Sequence, residues 1–309
     1  MKDTRPRWLL IAALVLMGAG WGLTQPLMKI TVDAGYQPFG IVFWQMTIGA
    51  LGLALWRFRQ LSQIRISRGA VAIWLFVALV GTIVPNSASY RALFHLPSGL
   101  MSILISTVPI LAFPIAMVLG SDRFSWRRMA GLVVGLAGVG LIVLPEASLP
   151  ERAMLAFVPL ALVAPLCYAF EGNVVARFGT AGLGPITVLL GASALGAVIA
   201  LPLALASGQF FMLRPPFVLA DVTLLASSLI HVVVYAGYVW MVRQAGAVFA
   251  GQIAYLVTAT GVLWAILILN ESYSGWVWAA MALMLLGMTL VKPRGPLETN
   301  PAERDTSSS

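Results

Sequence analysis

The chain has 309 residues, of which 60% are hydrophobic and 10% charged, with a formal net charge of +8. A soluble domain carries about 25% charged residues, and a soluble chain with this balance would expose large apolar patches and aggregate; the composition excludes an ordinary soluble protein and predicts an all-α membrane protein. The basic excess does not point to nucleic acid, because no contiguous basic stripe with interleaved aromatics occurs. The single cysteine, Cys167, excludes an intrachain disulfide, and together with the two histidines it offers no metal-ligand spacing.

The N-terminus MKDTRPRWLLIAALVLMGAGWG has a basic start and an apolar stretch, as a signal peptide does. The stretch is long, however, and many equal stretches follow, so it reads as a first span, 8–28. A crossing takes about 20 apolar residues, and further spans are predicted at 38–56, 71–91, 98–119, 127–144, 154–176, 183–205, 218–241, 247–268 and 274–291. The breaks carry turn or charge signals, among them DAGYQP, RFRQLSQIRISRG, SDRFSWRR, RFGTAGLGP and NESYSG.

Lys and Arg are held in short cytoplasmic loops. With both termini inside, that side collects Lys2, Arg5, Arg7, Arg57, Arg59, Arg65, Arg68, Arg123, Arg127, Arg128, Arg177, Arg243, Lys292, Arg294 and Arg304, against Lys29, Arg91, Arg152 and Arg214 outside. The expectation is a multi-pass protein of the bacterial inner membrane with both termini cytoplasmic: a short N-terminus over 1–7, and a polar, Pro-rich tail over 292–309 that should be disordered.

Shifted by about 147 to 149 residues, the chain half-matches itself. GSDRFSW (120–126) falls on LNESYSGW (269–276), with Asp122 on Glu271, Phe124 on Tyr273 and Ser125 on Ser274; Trp21 falls on Tyr168. Each half, 8–144 and 154–291, then holds five spans, and an odd number turns the second half over in the membrane. Ten transmembrane helices in two inverted five-helix repeats around a central cavity are the organisation of secondary transporters, with a site near the midplane.

GAGWGLTQPLMK (18–29) and VPILAFPIAMVLGSDRFSWRRMAGLVVGLAGVGLIVL (108–144), repeated in pattern by TATGVLWAILILNESYSGWVWAAMALMLLGMTLV (258–291), resemble the EamA-type repeat of the drug/metabolite transporter superfamily. The likeness runs from about residue 8 to 291. It implies a five-plus-five carrier, often an exporter of metabolites or amino acids, and it implies no particular substrate. Two positions depart from the family pattern: Asp122 stands where Glu is usual, and Gln45 where a basic residue is common.

Polar residues inside a bilayer face the bundle or a wet cavity, and residues at i, i+4 and i+7 share a helix face. The third span places Thr82, Asn86 and Ser89 on one face, and the eighth places His231, Tyr235 and Tyr238 at the same offset of about 149. The first span offers Trp21 and Thr24, the sixth Tyr168 and Glu171, the fourth Ser102 and Ser106, the ninth Gln252 and Tyr255; Tyr90 adjoins the third-span face. Spans 1, 3, 4, 6, 8 and 9 should therefore line the cavity, and 2, 5, 7 and 10 should lie outside. Gly131 and Gly135 have the spacing of close helix contact. Prolines 26, 85, 109, 114, 159 and 165 fall in inner spans, where each removes a backbone hydrogen bond.

Glu171 is the sharpest candidate. An ionised carboxylate in hydrocarbon costs at least about 2.5 kcal/mol, and Arg177, six residues on, is not on its face. Two roles suit it, taking up a proton during transport or holding a cationic substrate. Histidine titrates near physiological pH, so His231 reads either as a packed neutral imidazole or as a relay. Trp21, Tyr168, Tyr235, Tyr238 and Tyr255 suit a planar or amphipathic solute. The expected function is a secondary transporter of a small organic metabolite (an amino acid, nucleobase, vitamin or drug-like solute), working by alternating access; export is what the resemblance implies, and proton coupling rests on Glu171 and His231. An uncoupled facilitator or importer is the alternative; a membrane-embedded lipid-modifying enzyme is remote, because acid, base and metal groups do not cluster at one interface. No Walker A sequence provides for ATP. Neither cofactor nor metal is expected, the partners are a small-molecule substrate, the bilayer and protons, and the sequence leaves the oligomeric state open, a monomer being compatible with it.

Overall fold

The computed structural model describes residues 7–59, 64, 66–145 and 149–291; the expectations for 1–6 and 292–309 lie outside them. The described residues are helical, with no strand among them. Helix α1 runs Arg7–Asp33 and α2 Pro38–Trp56. Helix α3 (Arg68–Ala78) is capped by Ser67, whose Oγ accepts from Ala70 N at 3.1 Å, and passes through a π-helical turn, Leu79–Ile83, into α4 (Val84–Leu93). There follow α5 (Ser98–Ile105), α6 (Val108–Val118) and α7 (Trp126–Val143). A 3-10 stretch, Arg152–Phe157, leads into α8 (Val158–Ala161) and α9 (Val163–Phe178). The chain continues as α10 (Pro185–Ala206), α11 (Leu219–Ala245), α12 (Ala247–Ala250), α13 (Ile253–Leu269) and α14 (Gly275–Leu290). Among the described residues, eight helical stretches are long and apolar enough to cross a membrane, and α13 and α14 are shorter apolar helices.

Four expected uninterrupted spans are broken, and proline accounts for three of the breaks. Pro109 stands at the start of α6, just after the interruption at Ser106–Thr107. Pro159 and Pro165 flank the interruption at Leu162. Pro85 has no N–H to return to the Gly81 carbonyl one turn back, and the ladder there slips to wider spacing, with Val84 N bonded to Leu79 O. The fourth break, between α12 and α13, falls at Gly251.

Small residues set the closest packing. On α7, Gly131 and Gly135 meet the backbone of α14 at Gly287. Helix α1 meets α13 at Gly22, against Thr260 and Gly261, and Gly261 in turn meets Ser102 of α5. Trp264 Nε1 donates to Ala19 O at 3.0 Å across the same seam.

One end of the bundle is tied by polar contacts. Lys29 Nζ pairs with Asp33 at 2.8 Å and donates to Leu93 O at the C-terminus of α4, where a cation complements the helix dipole. The Glu271 carboxylate accepts from Ser98 N and Oγ, both at 2.8 Å, and from Gly99 N at 3.2 Å, capping α5. Tyr273 also donates to Glu271, and burial together with that carboxylate raises the Tyr273 phenol. At the opposite end lie Arg57, with its contact to Thr187, and Arg128, paired with Asp122 and stacked over Phe113.

The tied end also holds Tyr36, whose hydroxyl donates to Asp221 Oδ1 at 2.7 Å. Asp221 Oδ2 accepts from Val218 N at 3.0 Å and so caps α11. Burial, then the Asp221 hydrogen bond and charge, push the Tyr36 phenol up to about 12. A raised folded-state value favours the protonated, donating form, so this contribution is complete below the unfolded tyrosine value, about 10, and is lost as pH rises through about 12. Tyr36→Phe should cost about 1 kcal/mol at neutral pH. In denaturation series against pH, the gap from wild type should close in that alkaline window.

Candidate functional site

Two polar walls face each other in the middle of the bundle. One is built on a hub, Gln45 of α2. Tyr90 of α4 donates its hydroxyl to Gln45 Oε1 at 2.5 Å, and Asn86 Nδ2 donates to the same oxygen at 3.3 Å. Asn86 Oδ1 accepts from Tyr168 of α9 at 2.7 Å. Gln45 Nε2 rests on Met28 Sδ of α1 at 3.7 Å. Four helices thus meet in one chain of amides and phenols.

The other wall is aromatic. Trp21 Nε1 donates to His231 Nδ1 at 3.2 Å, which makes Nδ1 an acceptor and leaves the ring proton of the neutral tautomer on Nε2. The Trp21 ring lies edge-on to His231, 5.8 Å between centroids, and 6.2 Å from Tyr238; Tyr235 stacks 6.5 Å beyond His231. On α11 the exposed Val222, Leu229 and Val233 share a face at helical spacing. His231 is two residues from Leu229 and Val233, about 200° round the helix, beside Trp21 and Tyr235, yet it too is exposed. Exposure on the inward face means that His231 borders a cavity.

Glu171 sits one turn along α9 from Tyr168, half-buried, with no hydrogen bond or ion pair among the described residues. Its carboxyl group lies against the π-helical turn: a Cβ added to Gly81 would stand 2.7 Å from both carboxylate oxygens. Tyr168 and Tyr235, one from each wall, are within electrostatic reach of it.

The structure thus brings together Trp21, Asn86, Tyr90, Tyr168, Glu171, His231, Tyr235 and Tyr238. It does not bring in the other four sequence candidates. Thr24 is buried, its hydroxyl spent on Trp21 O at 2.7 Å. Ser106 is buried, bonded to Ile103 O at 2.6 Å and resting on Met284 Sδ of α14. Tyr255 packs in an apolar cluster with Ile110 and Phe113, and Gln252 stands at the α12–α13 break.

Sequence reasoning placed the second span outside the lining and so missed Gln45. The available signal was a lone amide in PFGIVFWQMTIG, since a buried polar group needs a partner. Gln45→Leu should strand the Tyr90 hydroxyl and the Asn86 amide, a loss of about 1–3 kcal/mol in folded stability. Adding Tyr90→Phe removes one stranded donor and should recover part of the loss; thermal unfolding of the purified single and double variants checks both. Among the described residues no group of His, Cys, Asp and Glu could hold a metal ion.

The sequence model of the EamA-like transporter family matches residues 8–144 and again 155–292. The inner membrane transporter YedA of Escherichia coli K12 is 24% identical over 292 residues, which cover 91% of this chain and 90% of YedA. A probable terminal-alkyne amino-acid exporter of Streptantibioticus cattleyicolor is 26% identical over 147 residues; that alignment spans 46% of this chain and 46% of the exporter, less than half of either. A solved crystal structure superposes with a TM-score of 0.61 at 17% identity, covering 90% of this chain and 96% of that one, a likeness of fold alone. With the family matched twice along the chain, on an all-helical bundle of apolar spans, the protein belongs to the EamA-like transporter family of the drug/metabolite transporter superfamily, and is a transporter rather than an enzyme.

Proposed function

We propose that this chain is a ten-span secondary transporter of the bacterial inner membrane, which exports a small organic metabolite by alternating access and couples export to protons at Glu171. In this reading α13 and α14 are crossings like the eight longer stretches, and the two matched segments are repeats of opposite orientation. The helix pairings support it: α1 packs on α11 and α13, as α9 packs on α4 and α6, while α7 with α14 and α2 with α10 are the self-related pairs. The Arg-rich end is cytoplasmic, by the bias of short loops.

The observation that carries the function is Glu171, an unpartnered carboxylate between an amide–phenol wall and an aromatic wall. A carboxylate at this depth is costly unless it is used. The amide wall suits a polar head and the aromatic wall a flat or apolar body. An amino acid combines the two, and likeness to a protein named as an amino-acid exporter supports that class and direction.

The test screens amino acids, nucleobases and organic cations for thermal stabilisation of the purified protein, because a ligand selective for the folded state must raise Tm. Each hit is then offered to proteoliposomes for exchange against labelled solute. A solute that both stabilises and exchanges is the expected result. A solute that stabilises yet never crosses would overturn the transport reading.

A further inference from the structure

Above the amide wall, at the tied end of the bundle, a cavity of about 250 Å³ opens between α2, α4 and the 207–218 connection. It is walled by Gln37, Ser87, Arg91, Phe94, His95 and Gln209. On α4, Ser87 directly follows Asn86 and Arg91 directly follows Tyr90, about 100° round the helix, so the cavity adjoins the hub on the neighbouring face of that helix.

Its chemistry is one-sided. Arg91 is exposed and has no carboxylate partner among the described residues. No Asp or Glu lines the cavity. Of the acids at this end, Asp33 is paired with Lys29, whose Nζ is also bonded to Leu93 O, and Asp221 is bonded to Tyr36 and to Val218 N. The imidazole of His95 is stacked on Phe157, 3.6 Å between ring centroids, which fixes it as a wall. Gln209 Oε1 is taken by Phe39 N at 2.9 Å, leaving its amide N–H groups to give. Ser87 Oγ is buried without a hydrogen-bond partner. A free guanidinium, an amide donor and an unsatisfied hydroxyl round a small space are the groups that receive a carboxylate.

We infer that this cavity is a second solute site, an outer vestibule that binds a small carboxylate through Arg91 with Ser87 and Gln209, distinct from the chamber at Glu171. The inference deepens the proposed function, on which it rests for the term outer. A vestibule of this sign concentrates anionic solute at the mouth, whereas the chamber below carries the acid, Glu171, so a zwitterion is held by its carboxylate in the first site and offered a carboxylate for its ammonium in the second.

The test uses the full chain with Cys167→Ser, which removes the only thiol, and Gln37→Cys, which places a thiol on the exposed cavity rim. In detergent, labelling by an anionic methanethiosulfonate should outpace labelling by a cationic one. Arg91→Gln should lower that ratio by about five-fold, the scale of one partly screened charge at close range, and Arg91→Lys should keep most of it. Benzoate should slow labelling, benzamide should not, and the benzoate effect should fall in Arg91→Gln and in Ser87→Ala. A ratio unchanged by Arg91→Gln, equal protection by benzamide, or no protection by benzoate would each overturn the site. The proposed function is read separately: impermeant reagent applied to intact spheroplasts should label Gln37→Cys. Labelling confined to inverted vesicles would reverse the assigned orientation and with it the word outer, while the charge ratio would still decide whether the carboxylate site exists.

Discussion

Glu171→Gln should abolish proton-driven movement of solute while leaving solute exchange in place. With one proton per solute, a gradient of one pH unit supplies about 1.4 kcal/mol, enough for about ten-fold accumulation. In proteoliposomes under that gradient, wild type should approach this ratio and Glu171→Gln should stay near equality. The amide keeps the shape and polarity of the side chain and removes only the titration, and no hydrogen bond or ion pair is broken among the described residues. Folded stability should therefore change little, which separates a coupling defect from a folding defect. Gly81→Ala is the companion variant. Its methyl group would meet the carboxylate, the free end of a flexible side chain rather than backbone, so the fold should tolerate it and Glu171 should be displaced. Slowed transport with the pH dependence retained is the expected result there. Unchanged accumulation in Glu171→Gln would move the coupling away from Glu171, and a wild type that itself stays near equality would return the chain to an uncoupled facilitator.

How far this chemistry was legible in the sequence depends on the kind of contact. Hydropathy located the apolar stretches, because burying about 20 apolar residues dominates every local preference; 38–56 reappears as Pro38–Trp56. The interruptions were half legible. Prolines 85, 109, 159 and 165 stand at broken ladders, but Pro26 and Pro114 sit inside helices that continue past them. The difference lies in whether the neighbouring helix accommodates the lost bond, which no local pattern records. The facing polar rows at 86 and at 231, 235 and 238 were legible as periodicity, and the walls are built on them. Ser106 and Tyr255 share the same kind of spacing, yet their neighbours are Met284 on one side and Ile110 and Phe113 on the other. Gln45 was visible as an anomaly, but its partners lie 41 and 45 residues away in sequence. The vestibule was the least legible, since it joins Arg91 of α4 to residues 37 and 209, which stand in two connections far apart in sequence.

Gly287→Ala should be among the most damaging single methyl groups that can be added to this protein. A Cβ there would stand 2.7 Å from Gly131 O, 2.9 Å from Gly135 N and 3.1 Å from Gly135 Cα. Every one of these is backbone of α7, so no side chain can swing aside, and the two helices must part along the whole seam. Overpacking of this kind costs about 1–3 kcal/mol. Between membrane helices no hydrophobic term offsets the loss, because lipid is as apolar as the partner. Gly172→Ala is the control: it is a helical glycine of α9 with open space around it, and alanine there should be neutral or stabilising by up to about 1 kcal/mol. Thermal unfolding of both variants in the same detergent gives the comparison. A Gly287→Ala protein as stable as Gly172→Ala would mean that α7 and α14 do not touch backbone to backbone. That seam closes the back of each matched segment, so holding it tight keeps α7 and α14 outside the walls that carry Glu171 and His231.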